Sequence, residues 1–124
     1  MSSFTAPLLV EYQHEIDKWA IDRSFAFWTI DEDGTRRTFT VPRKYLSDLA
    51  TVPWWAQWAV PKSGRYNQAA VLHDYFYTHL YNQYNKAYAD KIFLEAMTVL
   101  GVAKWRRYVM YNAVKIGGKG NYDG

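Results

Sequence analysis

His73 and Asp74 stand side by side in Leu72-His73-Asp74-Tyr75-Phe76-Tyr77, and their types and setting suit chemistry. An imidazole can move protons near neutral pH or hold a metal ion. A carboxylate one position later points about 100° further round a helix, so one residue can face a site while the other orients a neighbour. Asp90, on the flank of a later apolar stripe, is a second candidate. Asp48, in Ser47-Asp48-Leu49-Ala50-Thr51-Val52-Pro53, is a third, in loop sequence, a common placement for functional polar groups. His73, Asp74 and Asp90 have the donor types of a divalent metal site. With Asp48 they also form a catalytic set for metal-assisted or acid-base hydrolysis. Each has a plainer reading: a core histidine bonded to a backbone carbonyl, a salt bridge from Asp90 to a lysine or arginine, a turn capped by Ser47 or Asp48.

The segment 65–80 must hold His73. At helical period it puts Tyr66, Ala69, Phe76, Tyr77 and Leu80 on one face, with His73 at its centre and Asp74 on its flank. A titratable pair on the buried side of a helix is costly unless partners satisfy it. A second helix is predicted over 86–100, with Ala89, Ile92, Phe93, Ala96, Met97 and Leu100 as its stripe and Gly101 as its stop. The connection over 81–85 is short, so the two helices should be neighbours and bring Asp90 toward His73 or Asp74. A third helix is predicted over 103–116, with Trp105, Val109, Asn112, Ala113 and Ile116 on one face.

Upstream, residues 8–12, 18–30 and 35–41 read as strands. Phe25 and Phe27 share a side in the second, Phe39 and Val41 in the third, and Asp33-Gly34 suits the turn between them. Strands followed by helices, without βαβ alternation, give an α+β class: a small N-terminal antiparallel sheet packed against a three-helix cluster. One domain is expected over 1–118, with a flexible tail at 119–124.

The 124 residues are 49% hydrophobic and 19% aromatic, the composition of a globular chain able to bury its own core. The absence of cysteine excludes disulfides, thiolate metal sites and a cysteine nucleophile. No apolar stretch approaches the roughly 20 residues of a membrane helix, so no membrane insertion is expected. The net charge of +3 comes in short runs that read as a solvated face, and a nucleic-acid partner is not expected. There is no phosphate-binding Gly-rich loop, no HExxH and no GxSxG. His79 follows His73 by six residues, so the two do not form a metal pair on one helical face.

These segments, in order, resemble a known family. Ser47–Pro53, Gly64-Arg65-Tyr66, Ala69–Tyr77, Ala89-Asp90-Lys91-Ile92-Phe93, Met110–Val114 and Gly117-Gly118 look like the domain-of-unknown-function 1353 family. The resemblance implies a phage or prophage source, hence the host cytoplasm or a virion, and raises the weight of Asp48, His73, Asp74 and Asp90. It implies no activity. Two functions are carried forward. One is a small metal-dependent or acid-base hydrolase. The other is a non-enzymatic virion or tail component, or a host-protein-binding factor, whose polar cluster is structural. Trp54, Trp55 and Trp58 cannot all be buried on one face of a short helix, so a phage structural protein or host protein is the expected contact of at least one.

Overall fold

Alternation in the first half of the chain gives short strands, and the computed structural model describes residues 2–16, 18–47, 58–59 and 66–117. The strands are β1 (Ser2–Phe4), β2 (Val10–Gln13), β3 (Lys18–Ile21), β4 (Phe25–Ile30), β5 (Arg36–Val41) and β6 (Leu46–Ser47). Three helices follow: α1 (Asn67–His79), α2 (Lys86–Val99) and α3 (Lys104–Gly117). The class is α+β, as the element order predicts. The sheet is divided in two, however: one has the order β1-β4-β5, the other β2-β3-β6, and every pairing is antiparallel.

The division falls inside the single strand predicted over 18–30. β3 stops at Ile21, and β4 starts at Phe25 with different partners. Ile21, Phe25 and Phe27 are all buried. Their even spacing keeps the inward alternation unbroken across the corner, which is why periodicity alone does not reveal it. β1 and β6 are too short to carry a pattern and are added by pairing.

The turn between β4 and β5 follows its sequence. Gly34 takes a φ of 83°, and the Asp33 carboxylate accepts from Thr35 N at 2.9 Å. Phe25, Phe27, Phe39 and Val41 face inward, and Phe39 packs on Phe76 of α1 with ring centroids 4.8 Å apart. The first sheet is pinned to α2 by Glu95, whose Oε1 accepts from Ser2 Oγ at 2.8 Å and Thr29 Oγ1 at 2.7 Å.

The helices begin and end on local chemistry. Asn85 caps α2, its side chain accepting from Tyr88 N at 2.9 Å. At the other end Gly101 N donates to Thr98 O and Val102 N to Met97 O, with Gly101 at φ 80°. This is the Schellman arrangement, which favours glycine at the left-handed position. Gly101→Ala should therefore cost about 1 kcal/mol, read as a lower urea midpoint with an unchanged m-value. A midpoint equal to wild type would remove this account of the α2 stop.

α3 departs from its predicted phase. Met110, Ala113 and Val114 are its buried residues, whereas Trp105, Asn112 and Ile116 face outward. The helix carries two apolar stripes, and the predicted one belongs mostly to the surface. Among the described residues no helix is long and apolar enough to cross a membrane.

Candidate functional site

The spacing of four and the period of a helix build the site. His73 and Tyr77 lie one turn apart on α1, and Lys86 and Asp90 one turn apart on α2. The two helices pack together, and the pairs meet at their contact. Asp90 Oδ1 accepts from His73 Nε2 at 2.8 Å and from Tyr77 Oη at 2.7 Å. Asp90 Oδ2 accepts from Lys86 Nζ at 2.7 Å. His73 is only 4% exposed and Asp90 2%. The imidazole lies between the rings of Tyr77 and Phe93, with centroids 4.3 and 4.6 Å away.

A buried carboxylate normally resists ionisation. Burial does push the Asp90 carboxyl up, but the hydrogen bonds from His73, Lys86 and Tyr77 outweigh it and hold it below the usual carboxylate range. The ionised group only accepts, so the His73 proton in this contact sits on Nε2. In the neutral form of the imidazole the lone pair is then on Nδ1. No described residue hydrogen-bonds that nitrogen. No described side-chain nitrogen or oxygen is sealed from solvent without a partner, so Nδ1 borders accessible space. The arrangement is an imidazole held at one nitrogen by an anchored carboxylate.

Asp74, the next residue on α1, belongs to a separate set. Tyr45 Oη donates to Asp74 Oδ2 at 2.7 Å and lies 2.8 Å from Thr78 Oγ1. Tyr45 is brought there by a turn in which Lys44 has a φ of 74°, its N donating to Ile21 O at 2.7 Å. Asp48, Trp54 and Trp55 lie outside the described residues, as does the 119–124 tail.

Residues 19–114 match the family model described as Protein of unknown function (DUF1353). The chain belongs to this family. No curated protein and no solved structure matches it. The DUF1353 match takes in His73, Asp74, Tyr77, Lys86 and Asp90 and leaves out β1 and β2, so the polar cluster is part of what the family model covers.

Two of the sequence candidates, His73 and Asp90, are joined directly. Among the described residues no group of three or more histidine, aspartate or glutamate side chains is arranged to hold a metal ion. Both Asp90 oxygens and His73 Nε2 already have protein partners. Sequence reasoning missed Tyr77, Lys86 and Tyr45 as members of these networks. The i, i+4 spacings His73/Tyr77 and Lys86/Asp90 were the available signal. Helical period reads Tyr77 as part of the apolar face, and Lys86 stands at the helix start where a solvated lysine is ordinary.

Proposed function

We propose that this DUF1353 protein is a small hydrolase in which His73 is the general base and Asp90 its positioning residue. The phage or prophage source that the family resemblance implies is part of the same proposal. The observation that supports it is the His73 imidazole, bonded to a buried, ionised Asp90 through Nε2 and without a described partner at Nδ1. In the reaction, Nδ1 takes a proton from water as the water oxygen bonds to a carbonyl or phosphoryl centre. The imidazolium is stabilised by Asp90 and returns that proton to the leaving group. Asp74 is the proposed ligand of a divalent ion. A melting temperature unmoved by Mg²⁺, Mn²⁺, Ca²⁺ and Zn²⁺ would remove the ion from the proposal.

The test is turnover by the wild-type protein and by His73→Gln on carboxyl esters, phosphodiesters, glycosides and peptide anilides. Activity confined to one class and lost in the variant supports the base. A wild-type protein inert toward every class would overturn it.

One observation favours the second reading, a non-enzymatic phage or host-binding protein with a structural cluster. Lys86 Nζ also donates to Val114 O at 2.9 Å and Lys115 O at 3.1 Å. The lysine thereby clips the end of α3 to Asp90, a role that requires no substrate.

A further inference from the structure

The outward stripe of α3 has the composition of a surface that seats on lipid. Trp105, Tyr108, Asn112 and Ile116 fall within a narrow arc of the helix. Trp105 is 50% exposed and Ile116 75%. Trp58, 63% exposed, stacks on Trp105 with centroids 5.5 Å apart and rings 16° from parallel. Arg106 fixes that neighbour by donating to Ala59 O at 3.2 Å. The helix carries Lys104, Arg106, Arg107 and Lys115 and no carboxylate. Exposed tryptophan and isoleucine flanked by cations, with the opposite face of the helix in the core, are the pattern of a helix lying in a membrane interface.

We infer that this face docks on an anionic lipid bilayer, with Trp105 and Ile116 entering the headgroup boundary and Lys104 and Lys115 meeting lipid phosphates. The inference stands apart from the hydrolase reading, because it concerns binding and not turnover. Charge selects the occupant. A second copy joined through a two-fold axis would bring the same cationic face against itself. A nucleic acid would satisfy the charge but not Ile116, and the Trp105 ring is already occupied by Trp58 and by the Arg106 guanidinium 4.4 Å from its centroid. An anionic bilayer satisfies both the cations and the apolar tips.

The test is co-sedimentation with vesicles of phosphatidylcholine alone and of phosphatidylcholine with an equal part of phosphatidylglycerol. Partitioning onto the anionic vesicles, weakened by salt and accompanied by a blue shift of tryptophan emission, is expected. Lys104→Gln with Lys115→Gln should lower the partition coefficient roughly thirtyfold, and Trp105→Ser with Ile116→Ser about tenfold or more. These side chains are outside the core, so the variants should keep the wild-type unfolding midpoint. No partitioning, or equal partitioning onto both vesicles, overturns the inference. Binding to an oligonucleotide but not to vesicles overturns it in favour of nucleic acid. A concentration-dependent dimer abolished by Trp105→Ser with Ile116→Ser, without vesicle binding, overturns it in favour of self-association.

Discussion

His73→Gln is expected to lower kcat/KM about 100-fold to 10,000-fold on the substrate class the wild type hydrolyses, the range supplied by a positioned general base. Glutamine can still donate a hydrogen bond to Asp90, so the carboxylate keeps three partners. It cannot accept and release a proton at the position of Nδ1. Stability should fall by no more than about 1–3 kcal/mol, the cost of an imperfect buried hydrogen bond. Large loss of rate with a small loss of stability is the signature of a base. Unchanged rate in a folded variant would remove His73 from the chemistry, and a stability loss matching that of Asp90→Ala would favour the structural cluster.

Asp90→Ala should have the larger effect on the fold. The substitution removes the acceptor shared by His73, Tyr77 and Lys86, and leaves their donors facing a cavity. Breaking a buried ion pair from one side costs about 3–5 kcal/mol, here with two further donors stranded as well. For a domain of this size the melting temperature should drop by roughly 10–20 °C. The same carboxylate gives the fold a pH dependence of known sign. Its pKa is lower in the folded protein than in the unfolded chain. The stability it contributes is therefore complete above the unfolded value of about 4 and is lost as pH falls through the folded value. Asp90→Asn should lack that part of the acid destabilisation, read from urea midpoints near neutrality and at roughly pH 3. Equal acid sensitivity in Asp90→Asn and wild type would show that other carboxylates dominate.

The two variants separate the readings of the cluster. Asp90 anchors both α1 and, through Lys86, the end of α3, so its loss should damage the fold under either reading. His73 packs against two rings and, among the described residues, bonds Asp90 alone, so its loss damages the fold less.

The sequence by itself determined the elements that obey one local rule. The Asp33-Gly34 turn, the inward Phe39 and Val41, the centring of His73 on α1 and the stop of α2 at Gly101 all follow from alternation, helical period or a positive φ. Each is decided within a few residues, and nothing distant competes. The pairing of His73 with Asp90 was within reach for the same reason: two phased helices and a short connection leave few ways for their faces to meet. Tertiary structure decided the rest. The corner between Ile21 and Phe25 depends on which strands are available to pair, and alternation is blind to the partner. α3 offers two apolar stripes, and only the space left beside α2 selects Met110, Ala113 and Val114 for the core and leaves Trp105 and Ile116 outside. Tyr45 reaches Asp74, and Lys86 reaches the α3 carbonyls, across 29 and 28 residues of chain respectively. Those contacts carry no local pattern, because a hydrogen bond at that separation is fixed by packing and not by the spacing of its partners in sequence.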